Sequence, residues 1–160
     1  MVVSIDTGGG EALANEPISR IESEMEVRAY LQNLKYTLTN GAKLTFQENR
    51  IVDQNRELRF TNNYTMTDLF PDENPSDVLR RELATLTVAE YLRTTKDLRF
   101  PKKSEMREFG RTYYGRGEVY MKIRVELLSQ QSYGDHFVYV MSFHYAQKPF
   151  CLESFPYGKK

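Results

Sequence analysis

The sequence predicts an α+β domain, in which a small antiparallel β-sheet of three to five strands carries helices on one face. In residues 118–128 every second side chain is apolar, from Val119 to Leu127, a period typical of a strand with one buried face. Residues 136–145 are expected to alternate strictly between two sides, and both sides are partly apolar, which is typical of a central strand. Residues 20–40 carry apolar side chains at helical spacing.

The 160 residues suit one domain. Residues 1–18, which include three successive glycines, are predicted to form a disordered leader. Residues 19–150 are predicted to form the single domain and residues 151–160 a tail, and the chain is expected to be loosely held from Pro149 on.

The first helix is predicted to span residues 20–40. Ser19 would cap it in a capping box with Glu22, and Asn40-Gly41 would end it. The expected apolar stripe consists of Ile21, Met25, Ala29, Leu31, Leu34 and Leu38.

Residues 42–66 alternate between polar and apolar side chains on either side of a polar turn at residues 53–56, which favours a small hairpin or an extended arm. A helix is expected from Pro75 to about Ala84, with Val78, Leu79 and Leu83 facing inward.

A further helix is expected to begin at Thr87, because Thr87 and Glu90 have the spacing of a capping box, and to end before Pro101. From Ser104 the pattern becomes strand-like, and Gly115-Arg116-Gly117 predicts a turn before residue 118.

Composition argues against several classes of protein. No apolar run approaches the roughly 18 to 20 residues of a membrane span, and the N-terminus lacks a secretory signal, so a cytoplasmic protein is expected. The single cysteine, Cys151, excludes an intramolecular disulfide framework. With two histidines and no His-Glu-x-x-His motif, neither a metal site nor a cofactor is expected.

Charge is unevenly distributed along this neutral chain. Residues 1–75 carry a net charge of −5 and residues 76–160 a net charge of +5. Residues 93–124 hold ten basic and four acidic side chains, which favours a phosphate-bearing partner. The alternative is that the two halves neutralise each other across a surface.

Arginine, lysine, tyrosine and histidine cluster on the predicted strands and the adjoining helix, and these residue types suit metal-free RNA cleavage. In that reaction the ribose 2′-hydroxyl attacks the neighbouring phosphorus, a base and an acid move protons, and cations hold the added negative charge. The alternative is that Arg93, Arg107, Tyr120 and Lys122 are solvated surface groups and that His144 is a half-buried strand histidine. His136 is expected to be a bystander.

Four segments carry a family resemblance: residues 87–94, 104–108, 117–125 and 140–144. Together they resemble the MqsR toxins, which are RelE-like mRNA interferases of bacterial toxin–antitoxin systems. The resemblance implies a RelE/MqsR-like fold. It places Arg93, Arg107, Tyr120 and His144 at the family's lysine, glutamine, tyrosine and lysine positions, so that only Tyr120 is identical. Met106 stands where the family has tryptophan.

The predicted function is therefore that of a metal-independent endoribonuclease of the mRNA interferase type. Arg93 and Arg107 are expected to hold the scissile phosphate, while His144 and Tyr120 share the proton transfers. The predicted RNA contacts are Lys96, Arg99, Lys102, Lys103, Arg111, Tyr113, Lys122 and Arg124.

Two other functions use the same basic and aromatic residues. The protein would bind RNA or a ribonucleoprotein without cutting it, as an anti-CRISPR protein does when it acts on the effector Cas9 or its guide RNA; some anti-CRISPR proteins are of similar size. Alternatively, it would bind an acidic protein. If the chain is a toxin, an antitoxin is expected to cover the active face.

Overall fold

The computed structural model describes residues 18–50, 54–127 and 136–158, and the predictions for residues 1–17 and for the loop at 129–135 lie outside this part of the chain. The α+β class is confirmed. The strands are β1 Ile18–Arg20, β2 Lys43–Phe46, β3 Tyr91–Lys96, β4 Met106–Tyr113, β5 Gly117–Leu127 and β6 His136–Tyr145. The helices are α1 Glu24–Thr39, α2 Asn62–Leu69 and α3 Pro75–Ala84.

The six strands form one sheet in the order β1-β3-β4-β5-β6-β2. Strand β2 runs parallel to β6, and the other neighbours are antiparallel. The predicted antiparallel sheet of three to five strands is therefore wrong in two respects, because β1 and β2 extend it at both edges and the β2–β6 pair makes it mixed.

The core lies between one face of the sheet and helices α1 and α3. Val119, Met121 and Ile123 of β5 are fully buried, as the alternation predicts. They belong to one apolar cluster with the helix residues Val27, Leu34, Leu38, Val78, Leu79 and Leu83. The opposite face of the sheet is polar, and we call it the open face.

A bulge in β6 changes which of its side chains reach the core. Lys122 pairs with Ser142 and Ile123 with Val140, so Met141 is an extra residue on this strand. Val138 and Val140 face the core before the bulge, and Phe143 and Tyr145 face it afterwards. The expected strict alternation along β6 is therefore wrong, although its central position is confirmed.

Helix α1 begins later than predicted. Ser23 caps it in a capping box with Glu26, whereas Ser19 lies in β1 opposite Thr95. Met25 and Ile21 of the predicted stripe are exposed, at 81% and 54%, and Val27 takes part in the core instead.

The two halves of the segment at 42–66 do not pair as a hairpin. Residues 43–46 form β2, and residues 58–60 form a 3-10 turn that is followed by α2. Residue 53, the first of the predicted turn, lies outside the described residues. Helix α2 covers the β6 edge that β2 leaves free, because Asn62 donates to the Met141 carbonyl and accepts from the Phe143 amide. Strand β6 is thereby hydrogen-bonded beyond the end of β2.

The predicted helix at Thr87 is only a 3-10 turn, Val88–Glu90, although its capping box forms. The chain then enters β3, because Tyr91 is fully buried against Phe109. Long-range packing thus overrides the local helix signal. Helix α3, by contrast, spans the predicted residues.

The C-terminal segment is held against the sheet rather than loosely attached. Phe150 lies on Gly110, where an added Cβ would approach the ring to 2.7 Å. Tyr157 stacks on Tyr91 and donates to the carbonyl of Glu22 at 2.5 Å. The predicted boundary at residue 151 therefore does not separate a tail from the domain. None of the helices in the described ranges has the length and apolarity needed to cross a bilayer.

Candidate functional site

Sheet register gathers a row of polar side chains on the open face. Glu108 of β4 lies opposite both Arg93 of β3 and Lys122 of β5. Tyr120 lies opposite His144 of β6. Because directly opposed residues project to the same face, these five side chains are neighbours, although they are separated along the chain.

The row borders a cavity of about 410 Å³. Strands β5 and β6 supply Tyr120, Lys122, Ser142 and His144 to its lining. Arg50 and Arg56 reach it from the segment between β2 and α2, and Ala146, Gln147, Lys148 and Phe150 reach it from the C-terminal segment. Four cationic side chains thus line a small concave site, which favours an anionic ligand.

The imidazole of His144 is buried and neutral. Its Nδ1 lies 2.9 Å from the Tyr145 carbonyl and must carry the hydrogen, because a carbonyl oxygen only accepts. Its Nε2 accepts from Arg56 Nη1 at 3.2 Å. Burial lowers the pKa of His144, and the charges of Arg56 and Arg50 lower it further, against the opposing effect of the Tyr145 carbonyl.

Tyr120 lies beside this imidazole, with ring centroids 5.4 Å apart. Burial raises the pKa of Tyr120 well above its ordinary value, and the negative charge of Glu108 raises it further. The phenol therefore stays protonated at neutral pH.

Arg93 lies on the same face but is already paired. Its Nε donates to Glu108 at 2.9 Å, and Glu108 is only 2% exposed. Lys122 neighbours the same carboxylate. Burial lowers the pKa of Lys122, and the nearby Arg50 and Arg93 add to this effect, while Glu108 opposes it.

Arg107 is not part of this site. It pairs with Ile123 and therefore projects to the core side of the sheet, opposite to Arg93. There its Nε donates to Glu22 at 2.8 Å, and its guanidinium lies over the Tyr30 ring at 4.4 Å. The expectation that Arg93 and Arg107 hold one phosphate is wrong, because the sheet separates them.

Most of the other predicted RNA contacts also lie outside the cavity. Arg111 projects to the core side and donates to Glu90 at 2.6 Å, while Tyr113 donates to Glu82. Arg124 is on the open face, where it lies over the Tyr139 ring. The remaining four belong to β3 and the loop after it: Lys96, Arg99, Lys102 and Lys103. Arg99 is paired with Asp97, and Lys96 with the Lys103 carbonyl.

Arg50, Arg56 and Lys148 were not predicted as site residues. No periodicity places them over the sheet, because they lie in irregular segments that the tertiary fold brings together. The cross-strand positions of Glu108 and Ser142 follow from the register, which a single sequence does not define. Within residues 18–50, 54–127 and 136–158, no three His, Cys, Asp or Glu side chains form a group that could hold a metal ion.

Comparisons with models of known families, with curated proteins and with solved structures gave no match.

Proposed function

We propose that the protein is a metal-independent endoribonuclease of the mRNA interferase type, with the open-face cavity as its active site. The observation that carries this proposal is the convergence of a neutral imidazole, a protonated phenol and four cations on one small cavity. These groups are the ones that cleavage by 2′-hydroxyl attack requires.

In the proposed reaction the scissile phosphate lies among Arg50, Arg56 and Lys122, whose charges stabilise the phosphorane. Arg56 turns from His144 Nε2 toward the phosphate. The neutral imidazole of His144 then accepts the proton of the 2′-hydroxyl while its oxygen attacks the phosphorus, and the negative phosphate stabilises the imidazolium that forms. The protonated phenol of Tyr120 donates its proton to the 5′-oxygen as the bond between that oxygen and phosphorus breaks. The two residues thus share the proton transfers.

The proposal retains three of the four site positions that the resemblance to the MqsR toxins implies. Arg93, Tyr120 and His144, three of the four positions given by the resemblance, share one face of the sheet. The fourth, Arg107, does not contribute. An antitoxin, if the chain is a toxin, would bind over the open face, and the reaction would take place on mRNA in the cytoplasm.

RNA cleavage in the presence of EDTA tests the proposal. Purified protein is expected to cut single-stranded RNA into products ending in a 2′,3′-cyclic phosphate, because the 2′-hydroxyl is the nucleophile. DNA of the same sequence, which lacks that hydroxyl, is the control and should remain intact. Intact RNA under all conditions, or cleavage that EDTA abolishes, would contradict the proposal.

One observation favours non-catalytic binding as the second candidate. The neutral imidazole of His144 has its Nε2 engaged by Arg56, so the cavity presents cations without a free base. Such a surface suits a protein that holds RNA, or an RNA–protein effector such as Cas9, without cutting it. Retention of intact RNA with a steep dependence on salt concentration would support this function.

A further inference from the structure

Phe150 is an aromatic side chain that lines the open-face cavity from the C-terminal segment rather than from the sheet. Its ring lies over Gly110, where an added Cβ would be 2.7 Å from Cε2, 2.9 Å from Cζ and 3.1 Å from Cδ2. Gly110 lies opposite Tyr120 in the register of β4 and β5, so it faces the open side of the sheet. The absence of a side chain at Gly110 therefore leaves the space that the Phe150 ring occupies.

Further contacts hold Phe150 in this position. Its backbone amide donates to Glu118 Oε1 at 3.2 Å, and the amide of Ala146 donates to the Glu118 carbonyl at 2.8 Å. The ring of Phe155 meets that of Phe150 at 84°, with ring centroids 5.5 Å apart. A ring that is already held in place loses little conformational freedom when a ligand packs against it.

The cavity combines this ring with positive charge. Four cationic side chains line it as well, namely Arg50, Arg56, Lys122 and Lys148. Its volume of about 410 Å³ suits a ligand the size of one nucleotide. Proteins that bind single-stranded nucleic acids use cations for the phosphates and aromatic side chains for the bases. Phe150 and the four cations thus match both parts of a nucleotide.

We propose that Phe150 is the surface against which the base of the bound nucleotide packs, so that the cavity accepts single-stranded RNA. This inference rests on the proposed function, since it requires the phosphate of that nucleotide to lie among Arg50, Arg56 and Lys122. A base that packs against Phe150 has left the helical stack of a duplex. Gly110 is then a positioning residue, because a side chain there would displace the ring.

Binding of uridine 3′-monophosphate and of its 5,6-dihydrouridine analogue, measured by calorimetric or NMR titration, tests this role of Phe150. The two ligands share the sugar and the phosphate, but the base of dihydrouridine is neither planar nor aromatic. The wild-type protein is expected to bind the uridine nucleotide about 2- to 10-fold more tightly, the range that an aromatic pair adds to the area it buries. Phe150→Leu keeps an apolar group over Gly110 but should lose this preference, while its affinity for inorganic phosphate should remain that of the wild type.

Phe100→Leu is the matched control. Phe100 is 52% exposed in the loop after β3 and lies outside the described lining of the cavity, so this variant should keep the preference for uridine. Gly110→Ala provides a second variant if Phe150→Leu does not fold. Its added methyl group meets only the end of the Phe150 side chain, so the ring should shift and the preference should decrease.

Equal binding of the two nucleotides by the wild-type protein would overturn the inference. An unchanged preference in folded Phe150→Leu or Gly110→Ala, or a loss of the preference in Phe100→Leu, would do the same. Because the titration requires no turnover, its result is separable from that of the cleavage assay. A preference for the planar base without RNA cleavage would leave this base site in place and remove only the nuclease.

Discussion

Replacement of His144 by asparagine is expected to lower the rate of RNA cleavage by about 10²- to 10⁴-fold, the contribution typical of a general acid or base. Asparagine keeps a polar group near the Tyr145 carbonyl but cannot exchange a proton near neutral pH. Single-turnover cleavage of a labelled RNA measures the loss, and circular dichroism checks that the variant is folded.

His136→Asn is the matched control, because the chain has only two histidines. Both lie on β6, but His136 is at the opposite end of the strand, in a groove with Tyr30 and Glu126. Its replacement should leave the cleavage rate unchanged. An equal loss in the two variants, or none in His144→Asn, would show that the imidazole at the cavity is not part of the reaction.

Glu22→Ala is expected to lower the free energy of unfolding by about 3–5 kcal/mol, because removing one partner of a buried ion pair leaves the other charge uncompensated. Glu22 is 4% exposed and accepts from Arg107 at 2.8 Å and 3.2 Å, as well as from the Thr94 hydroxyl. These bonds join the β1–α1 connection to strands β3 and β4. Urea denaturation measures the change.

Glu105→Ala provides the comparison for a solvent-exposed pair. Glu105 accepts two hydrogen bonds from Arg20, whose side chain is 45% exposed. Pairs of this kind contribute about 0–1 kcal/mol, so this variant should remain close to the wild-type stability. If Glu22→Ala were no more destabilising than Glu105→Ala, the Glu22–Arg107 pair would not be the buried link described here.

The spacing of apolar residues along the sequence correctly predicted the elements whose conformation depends on local residues. The alternation in β5 assigns its buried face correctly, and the apolar spacing in α3 does the same for that helix. Strand β3 was expected to be helical because its capping box is a local signal, whereas its strand conformation depends on pairing with β4. The capping box at Ser19 failed for a similar reason, since pairing with β3 draws that residue into β1.

The same distinction applies to the site residues, some of which follow from local spacing and others only from the tertiary fold. Period two places Tyr120 and Lys122 on one face, but their meeting with His144 depends on the bulge at Met141. The sequence carried a signal that Arg107 lies on the core side of the sheet. Side chains two residues apart in a strand share a face, and Phe109, two residues after Arg107, is fully buried. The sequence carried no such signal for Arg50 and Arg56, because their positions depend on the path of an irregular segment.

NMR of the two histidine side chains shows whether the protein holds a nucleotide phosphate in the open-face cavity. Uridine 3′-monophosphate is added while the imidazole resonances are followed over a range of pH. We expect the His144 resonance to shift and the pKa of His144, lowered in the free protein, to rise as the phosphate comes within reach. Addition of the nucleotide should leave the His136 resonance unchanged. A shift at His136 alone, or at neither histidine, would contradict the assignment of this cavity as the functional site.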